Sequence, residues 1–429
     1  MCPLHVIVFN MGAVPTLPEN QSPHLVIIGG GAAGAIALIK AALKTTPHFQ
    51  ITLIDPHAQI GLGRAYSTTD LRHLLNVPAD KMSIFENHPL DFVDWLKRKP
   101  NQNFADWPFV PRILFGEYLV EKINALPEKS FKHIAAEAIA LDALPNKKWQ
   151  VTTTNGAKIT ADTVIVATGY QSSIERKLLW EVDEKTKDFV LQPYDFSAFR
   201  KIKPQDRIII VGTGLTALDV FLHLQDLPAT KLHFISRHGF FPKPHDANPP
   251  QTKEILPTLS GQSPLIIFKL ALRALRKNPT AWIALVNQIR DQVPGIWANW
   301  SLPQKSQFIR HISPFWEVAR HRVPVSVFKF LESLKSSGRV SVHAGRILRT
   351  EKTGNEIVVH YRPRGEVSTR EIHADWIVLA TGAKIEHRIS LKEPPGVYLL
   401  GPPAKEQFWE TTAIPDIVKL ADLILAKLK

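Results

Sequence analysis

Two glycine-rich segments carry the strongest chemical signal in this chain: Gly29-Gly30-Gly31-Ala32-Ala33-Gly34 and Gly212-Thr213-Gly214-Leu215-Thr216-Ala217. In a turn of this kind the first glycine permits a tight bend, the second lets backbone approach a pyrophosphate, and the third packs helix against strand. The helix that follows then turns its unpaired N–H groups toward the phosphates. Gly29, Gly31 and Gly34 hold the three positions in the first segment; Gly212, Gly214 and Ala217 hold them in the second. One such turn is a weak sign. Two in one chain, each directly behind an apolar run, point to two bound dinucleotides.

The elements around the turns sharpen that expectation. Residues 24–28 and 207–211 are short runs rich in Val and Ile, as buried parallel strands are. Behind the first turn, residues 35–43 read as a helix and 51–54 as a second strand ending at Asp55, about 20 residues past the glycines. An acid there suits a ribose with a free 2′-hydroxyl, as in the adenosine half of FAD or NAD. Behind the second turn, residues 217–224 read as a helix and 232–235 as a strand, and Ser236-Arg237 stand where the acid would be. Arginine at that place favours a 2′-phosphate, hence NADP; the alternative is a solvated arginine beside a helix end.

Composition narrows the field. The chain has 429 residues, enough for two or three domains with their own cores. Its 45% hydrophobic and 21% charged residues are those of an ordinary globular protein. No apolar run reaches the roughly 18 residues that span a bilayer. Residues 1–23 read as an extension without a secretory signal, with Met11 an alternative start. The single cysteine, Cys2, excludes a disulfide framework, a cysteine metal site and the cysteine pair of a flavoprotein disulfide reductase, and suits a reducing cytoplasm. No metal site is expected. The net charge of +13 is compatible with nucleic acid, a membrane surface or an anionic ligand. No nucleic-acid module accompanies it, and no Gly-x-Ser-x-Gly elbow, His-Glu-x-x-His helix or P-loop lysine occurs.

Along the chain, residues 24–198 read as the first part of an FAD-type domain that ends after a hairpin around Asn155-Gly156. Residues 199–382 read as an NAD(P)-type domain, and 383–429 as the return of the first. The whole is an α/β fold of two Rossmann-like dinucleotide-binding domains with a helical insertion, 245–330, in the second. Four of the ten tryptophans fall in that insertion: Trp282, Trp297, Trp300 and Trp316. They suit either a cap over a cofactor cleft or the core of a small helical subdomain. Helices are expected at 264–277, 280–293, 303–313 and 315–334, and the basic, amphipathic 265–277 leaves peripheral membrane contact as an alternative role. Arg320, His321 and Arg322 are candidates for binding an anionic substrate or a nicotinamide-cofactor phosphate, or else form a helix-end charge cluster ahead of Pro324.

Val164-Ile165-Val166-Ala167-Thr168-Gly169 has a counterpart in Ile377-Val378-Leu379-Ala380-Thr381-Gly382. Both resemble the hinge strands by which two-dinucleotide flavoproteins pass between their domains. A more distinctive block runs through Gly61-Leu62-Gly63-Arg64-Ala65-Tyr66-Ser67-Thr68 and His73-Leu74-Leu75-Asn76-Val77-Pro78-Ala79-Asp80-Lys81-Met82-Ser83. With Ser236-Arg237-His238-Gly239, Phe315-Trp316-Glu317-Val318-Ala319-Arg320-His321-Arg322 and Trp409-Glu410-Thr411-Thr412-Ala413-Ile414-Pro415, it resembles the bacterial FAD/NAD(P)-binding protein family from about residue 24 to 420. That family is distantly related to flavin-dependent monooxygenases, including the N-hydroxylases of lysine and ornithine.

The resemblance implies an FAD-bound oxidoreductase and does not supply a substrate. Two nucleotide turns, two hinge strands and no cysteine pair make the leading expectation an FAD-dependent, NADPH-dependent oxidoreductase of monooxygenase type, acting on a small molecule, anionic or aromatic. The alternatives are a flavin dehydrogenase or electron-transfer protein that never activates oxygen, and a non-enzymatic FAD-binding sensor or scaffold. The resemblance implies FAD contacts from Gly29, Gly31, Gly34, Asp55, Gly63, Arg64, Asn76 and Gly169. Gly401, Thr411 and Thr412 join them by the same implication. In the wider superfamily an acid follows the glycine equivalent to Gly401; here Pro402 stands instead, so the closing contact is expected from backbone at 409–413, ahead of a helix beginning near Thr411.

Overall fold

The computed structural model describes residues 22–44, 48–99, 104–170, 180–227, 230–246, 255–382 and 394–428. The N-terminal extension lies outside them apart from its last two residues, and so do Cys2 and Met11. The chain divides into two compact units, one of residues 1–172 with 384–429 and the other of residues 173–383.

In the first unit the parallel sheet has the order Val397–Leu399, Thr163–Val166, His24–Ile28, Gln50–Ile54, Lys132–Ile134. Its strands are apolar without alternation because both faces are covered. Leu25 and Ile27 join a core with Ile36, Ile39, Phe115 and Ile417, whereas Val26 and Ile28 join another with Leu141, Trp149 and Val151. The first core belongs to the helices, Ala32–Ala42 among them. That helix is buried almost all round and packs against Ile113–Asn124 and Ile414–Lys427. The second core lies under an antiparallel sheet of Ala138–Ala143, Trp149–Thr153 and Lys158–Ala161, whose last two strands turn at Asn155-Gly156 with Gly156 at φ 82°.

The second unit has a mixed sheet ordered Arg370–Ala374, Glu356–Pro363, Val340–Thr353, Lys231–Ser236, Arg207–Val211, Trp376–Leu379, Val190–Leu191. Its centre is parallel and its Glu356–Pro363/Arg370–Ala374 edge antiparallel. The domain boundary expected at 198 falls at 172 instead. Val190–Leu191 pairs with Trp376–Leu379 and Glu181–Val182 with Val340–Thr353, which ties the segment before 198 into the second sheet.

The insertion is helical, with Pro264–Lys277, Trp282–Asn299, Leu302–His311 and Ser313–Arg320. The single helix expected over 315–334 is two, because Pro324 takes an extended ψ of 143° and Val323 N–H is drawn off to the Lys243 carbonyl at 3.0 Å. The helix expected to stop at 293 runs through Pro294 to Asn299, and the extra turn buries Ile296 and Trp297. Trp297, Trp300 and Phe308 pack ring on ring, with centroids 5.4–6.0 Å apart, so these two tryptophans serve the subdomain core. No helix among the described residues is long and apolar enough to cross a membrane.

Candidate functional site

The first turn is held by contacts that only glycine allows. Gly29, at φ 102°, donates its N–H to the Ile54 carbonyl at 2.8 Å, and a Cβ there would lie 2.5 Å from the Ala167 carbonyl oxygen. A Cβ on Gly34 would lie 1.8 Å from the Gly29 carbonyl oxygen, so helix and strand are in backbone contact. Gly31 forms the N-cap of Ala32–Ala42 with no side-chain cap and no acid in the first turn, which leaves those N–H groups for an anion.

Three further segments converge on this turn. Asp55 accepts the Gly30 N–H at 2.6 Å through one oxygen and the His57 N–H at 2.9 Å through the other. Gly61, at φ 105°, donates to the Gly30 carbonyl at 2.7 Å, and Gly63 faces Gly31 so closely that a Cβ on it would stand 3.1 Å from the Gly31 Cα. Gly401, at φ 73°, brings the returning chain against Ala33, 3.1 Å from where its own Cβ would be.

Gly116, which sequence reasoning passed over, seats the 61–68 segment. A Cβ on it would stand 2.8 Å from the Tyr66 carbonyl oxygen. Burial pushes the Tyr66 hydroxyl far above its ordinary pKa, and His73, fully buried, bonds Thr68 Oγ1 at 2.7 Å.

The remaining residues expected near FAD lie less directly on the turn. Arg64 is exposed, one residue beyond Gly63; Asn76 is half-buried behind the buried Leu75. Gly169, at φ 69°, ends its strand with open space where a side chain would be. The helix expected near Thr411 begins at Ile414, capped by Ala413 with a proline in its first turn. Thr412 is half-buried. Thr411 is buried and its Oγ1 has no hydrogen-bond partner, an orphaned polar atom of the kind a ligand oxygen satisfies. Uncapped N–H groups, a cradle that side chains would fill and a buried orphan hydroxyl together fit a dinucleotide such as FAD.

The second turn repeats the plan with different chemistry. Gly212, at φ 125°, donates to the Ile235 carbonyl at 2.8 Å, and a Cβ there would lie 2.2 Å from the Ala380 carbonyl oxygen. Gly214 caps Leu215–His223 without a side-chain bond and has open space before it, while Ala217 is fully buried. Ser236 Oγ accepts from Thr213 Oγ1 at 2.9 Å and from Gly239 N–H at 3.0 Å. Tyr194, unforeseen from sequence, meets Thr216 at 3.2 Å. Arg237 is exposed.

Arg320, His321 and Arg322 differ in their partners. His321 pairs with Glu317 at 2.9 Å. Arg322 donates to the Ala319 carbonyl and to Asn287, and lies 5.5 Å from the Trp282 ring centroid; Lys243 lies 4.5 Å from the same ring. Burial first, then Arg320 and Arg290, lower Arg322 to about 10, and burial lowers Lys243. No metal-binding cluster of His, Cys, Asp and Glu occurs among the described residues.

Residues 26–171 match the family model described as FAD-NAD(P)-binding. No curated protein sequence matches the chain. Solved structures share its fold. An ornithine N-hydroxylase from Kutzneria sp. 744, described with reduced FAD, NADP+ and L-ornithine, superposes with a TM-score of 0.65 at 16% identity, over 95% of this chain and 98% of that one. The ornithine hydroxylase of Pseudomonas aeruginosa gives 0.64 at 14% identity over 95% and 99%. The cadaverine monooxygenase of desferrioxamine biosynthesis from Erwinia amylovora gives 0.62 at 13% identity over 95% and 94%. The chain thus carries an FAD-NAD(P)-binding domain over residues 26–171, within a fold shared with N-hydroxylating flavoenzymes.

Proposed function

We propose that the protein is an FAD-dependent oxidoreductase that draws its electrons from NADPH and performs monooxygenase-type chemistry on a small molecule. The observation that carries this reading is the contrast between the two turns. At the strand end after the first stands Asp55, a carboxylate suited to a free ribose hydroxyl; at the matching strand end after the second stand Ser236 and the exposed Arg237. The shared fold with an ornithine N-hydroxylase and a cadaverine monooxygenase favours oxygen chemistry over simple dehydrogenation.

When bound, the flavin supplies two-electron chemistry between a nicotinamide and oxygen or an organic substrate. The chain's own residues hold and shield. Gly31 and the first turn of Ala32–Ala42 would receive the FAD pyrophosphate, Asp55 the adenosine ribose, and the 61–63 loop with Gly401 would close the cradle. Thr411 Oγ1 would donate a hydrogen bond to an oxygen of the bound cofactor. Gly214 and the first turn of Leu215–His223 would receive the second pyrophosphate, with Arg237 on its 2′-phosphate. Lys243 and Arg322, both held against Trp282, are the cations offered to an anionic or aromatic substrate.

Anaerobic titration with NADPH tests the reading. The purified protein is expected to be yellow and to bleach with NADPH, and a colourless protein that refuses FAD would refute it. A flavoprotein that NADPH bleaches but whose substrate turnover consumes no oxygen would be a dehydrogenase instead.

A further inference from the structure

We propose that Arg364 is the second arginine of the 2′-phosphate site, closing on the same group as Arg237, with His238 between them. The proposal rests on the NADPH reading above.

The register of the second sheet brings Arg364 there. Ser236 pairs with Ala344 in the parallel ladder of Lys231–Ser236 with Val340–Thr353, and on the far side of Ala344 the Arg364 N–H donates to its carbonyl at 2.8 Å. Arg364 is therefore two strand spacings from the end of Lys231–Ser236, about 10 Å, a span that two arginine side chains can close around one phosphate. The 237–239 turn folds back over the same place: Gly239, at φ 67°, lies against Ala344, 3.2 Å from where its Cβ would be. The Arg364 guanidinium hydrogen-bonds His238 Nδ1.

That contact fixes the chemistry of the ring. A guanidinium only donates, so Nδ1 must accept and the ring proton sits on Nε2, free to donate. Burial, then Arg364 and Arg237, hold His238 below its ordinary pKa. Phe240 stacks on the ring at 5.5 Å and 19°, fixing its plane. The acid of this hairpin, Glu366, is engaged by Arg370 at 2.8 and 3.0 Å. What remains is two exposed guanidinium groups, one of them anchored on His238 Nδ1 with its other N–H groups open to solvent, and an imidazole Nε2–H, beside the strand end where a dinucleotide ribose would lie. A phosphate dianion on the ribose 2′-oxygen satisfies such a set, and a bare hydroxyl does not.

The test is calorimetric titration of the full-length holoprotein with adenosine 2′,5′-bisphosphate and with adenosine 5′-monophosphate, which differ by the 2′-phosphate alone. Wild type is expected to prefer the bisphosphate, and Arg364→Ala and Arg237→Ala each to lose about tenfold or more for it while the monophosphate is unmoved. Arg364→Lys, which keeps the charge without the fork and guards against a misfolded alanine variant, is expected to fall between. A wild type without preference for the bisphosphate would remove the NADPH reading and this proposal with it. A preference lost in Arg237→Ala but intact in Arg364→Ala would overturn the proposal alone, as would equal loss of both ligands in Arg364→Ala.

Discussion

The two turns share their backbone plan and differ in what tightens it. Gly29 and Gly212 each donate to a carbonyl near the end of the next strand, Ile54 or Ile235, both at 2.8 Å, and each rests on the backbone of the alanine of an Ala-Thr-Gly sequence. That contact is with the alanine's backbone carbonyl, so it excludes a side chain at the glycine, and it follows from strand order: the strand that leads into each alanine lies beside the strand that feeds the turn. The first turn is then locked by Gly34 against Gly29 and by the facing pair Gly31 and Gly63, and a carboxylate holds Gly30. The second has Ala217 in place of the third glycine, open space at Gly214, and the hydroxyls of Thr213 and Ser236 where the first has a charge. The lesson is that one backbone scaffold is packed closely around its turn in one unit and left more open in the other, with a carboxylate exchanged for hydroxyls at the strand end.

The sharpest way to break that comparison is an alanine in each turn. Gly34→Ala forces a methyl into a backbone oxygen, so a loss of about 3 kcal/mol or more and of retained flavin is expected. Gly214→Ala meets nothing within 4 Å and is expected to cost about 0.5–1 kcal/mol with flavin retained. Thermal melting and the flavin absorbance of the purified variants measure both. Equal effects would mean that the first turn is no more tightly built than the second.

Next in size is an exchange of ribose chemistry. Ser236 stands where Asp55 stands, each directly after the strand residue, Ile235 or Ile54, that accepts the glycine N–H. Ser236→Asp keeps an acceptor for Thr213 and Gly239 but sets a carboxylate beside the 2′-position. NADPH affinity is expected to fall about tenfold or more, with NADH unchanged or tighter, since like charges at this distance repel strongly. An unaltered NADPH to NADH ratio in a binding titration would show that this strand end does not read the ribose.

How far the sequence foretold these features depended on whether the signal was local. The strands His24–Ile28 and Arg207–Val211 lie at the residues expected, because a short Val/Ile run ended by glycine has few other readings. Pro264–Lys277 also matches, with Ser263 capping the Ile266 N–H. Arg364 was invisible because it reaches His238 from 126 residues away, through strand order alone. Gly116 looks like any glycine in a helix until Tyr66 is seen above it. Thr411 had the character of a helix cap, yet it is buried and the helix waits for Ala413 and Pro415. The two-residue strands that move the boundary from 198 to 172 are too short to show a period.

The smallest expected difference separates the two sheets in acid. In the first unit His24 is lowered chiefly by burial, but the Thr160 carbonyl and the nearby Asp162 carboxylate oppose the shift. In the second, His233 is lowered to about 4 by burial, then by His343 at 3.3 Å and by Lys231 and Arg207, with no acid to oppose it. His343, which also bonds the Tyr361 hydroxyl at 3.2 Å, is lowered by burial. A depressed histidine pKa means the unfolded chain takes up protons first, near 6.5, so the neutral pair supports folding fully above that pH. The support drains away as pH falls from 6.5 toward 4 and then levels off. Because solvent reaches the half-buried rings, the loss is on the order of 1–2 kcal/mol. Amide exchange at pH 7 and pH 5 measures it: protection in Lys231–Ser236 and residues 340–344 is expected to drop more than in His24–Ile28 and Gln50–Ile54. His233→Leu should flatten the difference, and an equal drop in both sheets would place the acid sensitivity somewhere other than this histidine pair.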